Sequence, residues 1–207
     1  MRSNRFELPT AANVRRISRR CISPAGWHVH AHRVQSPNAD ARPADERIEL
    51  IVIHNISLPP GKFGGRDVQR LFTNRLCIRD HPDYPAIGIL KVSAHFFIRR
   101  DGRLLQFVST QRRAWHAGAS AWRGRGRCND FSIGIELEGT DVRPYTVSQY
   151  QRLARLVQAL VLRYPDICGV AGHDEIAPGR KTDPGASFDW PRLIAQSGLP
   201  QRFRELN

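Results

Sequence analysis

The segment Phe131-Ser132-Ile133-Gly134-Ile135-Glu136-Leu137 alternates between large apolar residues and small or acidic ones. Because successive side chains of a β-strand point to opposite faces, this period predicts a strand with its serine, glycine and glutamate on one face. The β-branched run from Ile48 to Ile53 predicts a second, buried strand, which ends at His54. A carboxylate that shares a face with two small residues has open space in front of it, so we expect a ligand site at Glu136.

Three helices are predicted from apolar spacing and from end signals. Thr146 and Gln149 have the spacing of a capping box, and apolar residues then recur at helical intervals until Pro165 ends the helix. Residues 66–76 fit a short helix with one apolar face, and a final helix is expected to begin at the N-cap Asp189.

The remaining strands complete a mixed pattern. Residues 91–98 and 103–108 are apolar runs joined by Asp101-Gly102, which predicts a hairpin, and residues 167–171 predict another short strand. Three segments are expected to be irregular: 58–65, 118–130 and 174–189. Strands and helices mixed without an internal repeat predict an α/β fold, in which helices cover a sheet within a single domain.

Length and composition agree with one globular domain. The chain has 207 residues, of which 41% are hydrophobic and 25% charged, and this balance excludes wholesale disorder. No apolar run approaches 18 residues and no apolar secretory segment follows Met1, so we expect no membrane span and a cytoplasmic location. The four cysteines form no C-x-x-C pair, which excludes a zinc ribbon, and buried thiols without disulfide bonds are expected.

The net charge of +13 is compatible with two kinds of partner. A basic surface attracts nucleic acid, but it also attracts small ligands that carry carboxylates. Residues 1–26 contain two arginine pairs and no helical or strand period, which predicts a flexible basic arm followed by a domain over 27–207. The remaining positive charge is spread along the chain and no DNA-binding motif is present, so nucleic acid is the less favoured partner.

Two histidines at predicted strand ends are candidate metal ligands. His54 and His173 each follow such a strand, and Asp183 comes ten residues after the second. Two imidazoles and one carboxylate are a common ligand set for catalytic zinc, with a fourth position for water. Spacing alone leaves the alternative that each is an ordinary packed or surface histidine. His95 is expected to be a hydrogen-bonded core residue, and His116 is a candidate for lining a groove. A solvated or edge segment is expected at His28, His30 and His32.

Five runs carry a family resemblance: Ile51–Gly61, Val92–His95, Ala114–Gly118, Ser132–Gly139 and Gly172–Gly185. Together and in this order they closely resemble the motifs of the zinc-dependent N-acetylmuramoyl-L-alanine amidases of the AmpD type, over about residues 27–207. The resemblance implies a mixed central sheet flanked by helices, as in peptidoglycan-recognition proteins. It also implies hydrolysis of the amide between (1,6-anhydro-)N-acetylmuramic acid and L-alanine during cytoplasmic peptidoglycan recycling.

Carried over by position, the resemblance implies that His54, His173 and Asp183 bind one zinc ion. Glu136 would then be the general base and acid, and Lys181 would stabilise the oxyanion. The substrate contacts implied in the same way are Asn55, Lys91, Ala114, Trp115 and Arg127. At Lys91 relatives usually have arginine, so a two-pronged grip on a carboxylate would become a single-point contact.

Two alternatives to an enzyme are kept open. A non-catalytic module of the same fold would bind peptidoglycan fragments without cutting them, and the basic arm could bind nucleic acid. A pure binding module needs neither the metal ligands nor the acid–base pair, so the complete set favours the hydrolase. The expected partner is therefore a peptidoglycan fragment, with no membrane contact, and the expected state is a monomer.

Overall fold

A computed structural model describes residues 21–205 of the chain. Its strands are β1 His32–Arg33, β2 Ala39–Ala41, β3 Leu50–Ile56, β4 Phe96–Ile98, β5 Leu104–Gln106, β6 Arg112–Ala114, β7 Ala121–Trp122, β8 Arg125–Gly126, β9 Ser132–Glu138 and β10 Gly169–Gly172. Its helices are α1 Asp67–Phe72, α2 Tyr84–Gly88, α3 Val147–Arg163, α4 His173–Ile176 and α5 Trp190–Ser197, with 3₁₀ turns at Cys128–Asp130 and Gln201–Arg204.

Six strands form one mixed sheet in the order β1-β5-β4-β9-β3-β10. Only β4 and β5 run antiparallel, as the predicted hairpin requires, and the other neighbours are parallel. Two small antiparallel pairs, β2 with β6 and β7 with β8, lie outside this sheet. The predicted α/β fold with a mixed central sheet flanked by helices is confirmed.

The two faces of the sheet at β3 and β9 present different kinds of side chain. Ile51, Ile53, Ile133, Ile135 and Leu137 belong to the core cluster that packs against α3. The large aliphatic side chains that α3 contributes to the same cluster are Leu153, Leu156, Val157 and Leu160. Burying each of these stabilises the fold by about 1.5–3 kcal/mol. The opposite face carries the polar residues of the alternating pattern, together with Leu50 and Val52, which belong to a second buried cluster.

The predicted ends of the long helix are confirmed. Thr146 accepts the N–H of Gln149 and the Gln149 side chain accepts the N–H of Thr146, so both halves of the capping box are formed. α5 begins as expected, since Asp189 Oδ1 accepts the N–H of Arg192. The helix predicted over 66–76 forms but is shorter, and its apolar residues are buried.

Two segments predicted as irregular contain regular structure. Within 118–130, β7 and β8 form a hairpin whose turn residues Arg123 and Gly124 both have positive φ. An Arg-Gly pair is a weaker signal for such a turn than Asn-Gly, which is why the prediction was wrong here. Within 174–189, α4 is a single turn, too short to show apolar periodicity.

The sequence predicts that His54 ends its strand, but β3 continues for two residues beyond it. β3 continues to Ile56 because β9 runs alongside as far as Glu138 and supplies hydrogen-bonding partners. The thiols are also less buried than expected. No disulfide joins the four cysteines, but only Cys128 is fully buried, while Cys77 and Cys168 are exposed.

The start of the described chain packs against the domain. Residues 21–26, assigned to the arm from sequence, place Ile22 in the main core cluster with 3% of its surface exposed. Residues 1–20 of the predicted arm lie outside the described residues. β1 is an exposed edge strand, as expected for the histidine segment, although His28 beside it is buried. Among residues 21–205, no helix combines the length and the apolar character that crossing a bilayer requires.

His95 is the hydrogen-bonded core histidine that its sequence context predicts. It is fully buried, its Nδ1 accepts the N–H of Gly134, and its Nε2 lies 3.0 Å from the carbonyl oxygen of Arg112. Burial, reinforced by the charge of Arg42, lowers the pKa of His95 to about 3.

Acid should therefore destabilise the fold through His95. Between pH 6.5 and about 3 the unfolded chain takes up a proton that the folded chain refuses, so stability falls as pH falls. One such group contributes about 1.4 kcal/mol per pH unit. In urea unfolding of metal-stripped protein between pH 4 and 6, His95→Gln should flatten the pH dependence by this amount. The exposed His32→Gln is the control, and equal slopes for parent and His95→Gln would contradict the assignment.

Candidate active site

The sheet topology brings the predicted metal ligands to one place. His54 on β3 is in register with Glu136 on the neighbouring strand β9. On the other side of β3, Gly172 of β10 pairs with Ile53, so His173, the first residue of α4, comes level with His54. Asp183 reaches the same point from the loop after α4. A 2.9 Å hydrogen bond from the backbone N–H of Asp174 to the carbonyl oxygen of Asp183 holds this loop against α4.

Three ligand atoms form a nearly equilateral triangle. The two Nδ1 atoms of His54 and His173 are 3.0 Å apart, and Oδ2 of Asp183 lies 3.2 Å and 3.1 Å from them. Zinc bonds of about 2.0–2.1 Å at tetrahedral angles separate ligand atoms by about 3.3 Å, close to these values. The triangle therefore fits a small divalent cation, and within residues 21–205 this is the one group of three or more such side chains that could hold an ion.

The protonation of these groups also suits a cation. Nε2 of His173 lies 3.2 Å from the carbonyl oxygen of Ala117, which can only accept, so the neutral ring keeps its lone pair on Nδ1. Burial lowers the pKa of His54 to about 4, which keeps this imidazole neutral at neutral pH. Burial opposes ionisation of Asp183, but contact with the two imidazoles outweighs it and holds the pKa of this carboxyl well below its usual range.

Glu136 is a buried carboxyl with one oxygen unused. Its side chain faces the cavity beside the triangle, and its buried Oε2 has no hydrogen-bond partner among residues 21–205. Burial, together with the negative charge of Asp183, raises the pKa of Glu136 well above its usual value, against the opposing charge of Lys181. An unpartnered carboxyl with a raised pKa is suited to accepting and returning a proton near neutral pH.

Lys181 lines the same cavity from the loop after α4. Its neighbour Arg180 anchors that loop by donating to the carbonyl oxygens of Ala117 and Ala119 at 2.6 Å and 2.7 Å. The side chain of Lys181 is exposed, unlike those of the two histidines. Arginine thus holds the loop while the lysine next to it presents a point charge to the cavity.

The cavity has a volume of about 270 Å³ and two chemically different parts. The triangle, Glu136 and Lys181 form the polar part. The other part is apolar and is contributed by β3, the loop after it, α1 and the α2 region: Ile56, Leu58, Leu71, Phe72, Ile87, Leu90 and Val92. Such a division suits a ligand with an apolar body next to a reacting polar bond.

The residues implied as substrate contacts occupy different positions. Asn55 and Trp115 line the cavity, although Nδ2 of Asn55 already donates to Asp141 Oδ1 at 2.7 Å and to the Pro184 carbonyl oxygen at 3.1 Å. Three others do not line it. Ala114 is fully buried, whereas Lys91 and Arg127 are exposed, and Arg127 donates to Asp130.

His116 and Ser132 belong to the site more closely than the sequence suggested. His116 lines the cavity as predicted, but its ring also lies 3.0 Å from His54, and Ser132 contacts its other nitrogen. The alternation of β9 placed Ser132 on the same face as Glu136 and was the available signal. Nothing local indicated that the loop carrying His116 folds onto that face.

Comparison with known proteins identifies the family. The N-acetylmuramoyl-L-alanine amidase family matches residues 44–186. A relative from Citrobacter freundii named 1,6-anhydro-N-acetylmuramyl-L-alanine amidase AmpD is 57% identical over 171 residues, which are 82% of this chain and 91% of the relative.

Solved structures agree with this match. The crystal structure of a Se-Met AmpD derivative superposes with a TM-score of 0.83 at 55% identity, covering 84% of this chain and 98% of that chain. The E. coli amidase AmiD, solved in complex with the substrate anhydro-N-acetylmuramic acid-L-Ala-D-γ-Glu-L-Lys, has a TM-score of 0.55 at 32% identity, covering 76% and 60%. Fold, site and sequence similarity together place this chain among the N-acetylmuramoyl-L-alanine amidases.

Proposed function

We propose that this chain hydrolyses the amide bond between 1,6-anhydro-N-acetylmuramic acid and L-alanine in released peptidoglycan fragments, with one zinc ion held by His54, His173 and Asp183. The observation that carries the proposal is the triangle of ligand atoms 3.0–3.2 Å apart beside the unpartnered carboxyl of Glu136. The names of the AmpD relative and of the AmiD ligand support the choice of substrate.

In this proposal Glu136 moves the proton. When bound, zinc would supply Lewis acidity, which would lower the pKa of a water in the site to about 7 and polarise the amide carbonyl. Oε2 of Glu136 accepts the proton of the attacking water and later gives it to the nitrogen of the departing L-alanine. The raised pKa of Glu136 favours the first transfer, because a stronger base accepts the proton of water more readily.

Lys181 acts on the other side of the reacting bond. Its ammonium group brings a positive charge to the cavity where negative charge develops on the carbonyl oxygen. Anchoring of the loop by Arg180 limits how far that charge moves between turnovers. Lysine suits this task because it presents a compact charge rather than a planar fork.

The substrate is proposed to lie along the two-part cavity. The C–H faces and the methyl groups of the anhydro-sugar pack against the part near Leu71 and Phe72, and Trp115 and Asn55 border the path of the peptide. Lys91, Ala114 and Arg127 stay predicted contacts. The net charge of +13 favours the approach of a ligand with several carboxylates. The cytoplasmic location and the monomeric state also stay predictions.

The substrate assignment is tested by product analysis. Purified protein is incubated with the 1,6-anhydro-muramyl tripeptide and, separately, with intact peptidoglycan sacculi, and products are identified by mass spectrometry. We expect the free tripeptide and anhydro-sugar from the first and much slower release from the second. The His54→Ala variant controls for contaminating amidase. Binding of the anhydro-muropeptide without cleavage would favour a non-catalytic module instead.

A further inference from the structure

His116 contacts a proposed metal ligand from the side away from the metal. Its Nδ1 lies 3.0 Å from Nε2 of His54, whereas Nδ1 of His54 faces His173 and Asp183. The proposed mechanism gives His116 no part in bond making or breaking. Its position between His54 and β9 therefore needs a separate explanation.

One backbone carbonyl sets the direction of the hydrogen bonds around His116. The oxygen of Cys128 can only accept, and at 2.5 Å from Ser132 Oγ it takes the hydroxyl hydrogen. Ser132 Oγ must then accept from Nε2–H of His116, 3.2 Å away, which leaves the lone pair of the neutral ring on Nδ1. That lone pair accepts from Nε2–H of His54, and the lone pair of His54 is left on Nδ1, the atom in the triangle.

The ring of His116 is held in place from two directions. A Cβ built on Gly134 would lie 2.5 Å from Cγ of His116, so the ring occupies the space that a side chain at this position would fill. Asn129 Oδ1 accepts the backbone N–H groups of His116 and Ala117 at 3.1 Å and 2.8 Å. Gly134 thus leaves the space that this ring occupies, and any larger residue at position 134 would displace the ring.

We infer that His116 is a positioning residue that holds His54 in the tautomer and orientation required for metal binding, through the chain His54–His116–Ser132–Cys128. The inference rests on the metal site proposed above. Outer partners of metal-binding histidines typically change metal affinity by about 10- to 100-fold.

Two substitutions separate hydrogen bonding from packing. His116→Phe fills the space over Gly134 but offers no hydrogen-bond acceptor to His54. His116→Asn places Oδ1, an acceptor, near the position of the histidine Nδ1. The zinc dissociation constant is measured by competition with a chromophoric chelator, and the ligand field is measured from the visible spectrum of Co²⁺-loaded protein. We expect His116→Phe to bind zinc about 10- to 100-fold more weakly, with an altered cobalt spectrum. His116→Asn should recover most of both.

The controls keep the outcomes distinct. His81→Asn removes a histidine that does not line the cavity and should leave zinc affinity unchanged. Thermal unfolding of each metal-free variant shows whether it folds. Parent-like affinity and cobalt spectrum in His116→Phe would overturn the inference, as would equal weakening in the Phe and Asn variants, which indicates packing alone. If His54→Ala binds zinc as tightly as the parent, the proposed metal site itself is wrong.

Discussion

Replacing Glu136 with glutamine is expected to lower kcat by about 10²- to 10⁴-fold while zinc content stays at that of the parent. Glutamine keeps the volume of the side chain and its place on β9, but it cannot accept a proton from water at neutral pH. Because Glu136 contributes none of the three ligand atoms of the triangle, metal binding should not depend on Glu136. Single-turnover kinetics with the anhydro-muramyl tripeptide, together with metal analysis of the same samples, measure both quantities.

Glu138 provides a matched control on the same strand and the same face. Its two carboxylate oxygens accept the N–H groups of Gly64 and Arg100 at 2.6 Å and 3.0 Å, so it holds neighbouring loops and does not line the cavity. Glu138→Gln should lower the free energy of unfolding and leave kcat within about tenfold of the parent. If Glu136→Gln also hydrolyses substrate within tenfold of the parent, Glu136 is not the base.

Local sequence signals were sufficient for the strand that carries Glu136 and for the start of the long helix. The alternation around Gly134 predicted both β9 and the face on which Glu136 lies, because a strand has a period of two whatever it packs against. The capping pair Thr146 and Gln149 predicted the start of α3 for a similar reason, since both partners lie within one turn. The short strands β2 and β6 were missed, because three residues leave no measurable period.

The convergence of the site depends on contacts that no local signal reports. Residue types and strand ends suggested His54, His173 and Asp183 as ligands, but the meeting of their atoms follows from the order β9-β3-β10. His116 shows the limit more clearly, because its role requires a loop to fold over Gly134 and deliver a ring to His54. The same holds for Asn55, whose amide is already bonded to Asp141 and Pro184 in the folded chain.

Removing one ligand of the triangle should abolish zinc binding and turnover together. His54→Ala deletes an atom that lies 3.0 Å and 3.2 Å from the other two, leaving only one imidazole and one carboxylate to hold the ion. A Lewis acid contributes several kcal/mol to such a reaction, so activity should fall by at least about 10³-fold. Thorough chelation should bring the parent to the same residual rate, and stoichiometric zinc should restore the parent but not the variant.

The rate losses caused by the His54→Ala substitution and by chelation must not add if both act on the same ion. Chelating His54→Ala should slow it no further, because the variant has already lost what the chelator removes. A further large loss on chelation would mean that a second metal, held elsewhere, supports turnover. Full activity of the variant at stoichiometric zinc would mean that His54 is not a ligand. Either result would mean that the ion held by the triangle does not support the hydrolysis. Equal residual rates for the chelated parent and the His54→Ala variant would mean that the hydrolysis depends on an ion bound where β3, α4 and the Asp183 loop meet.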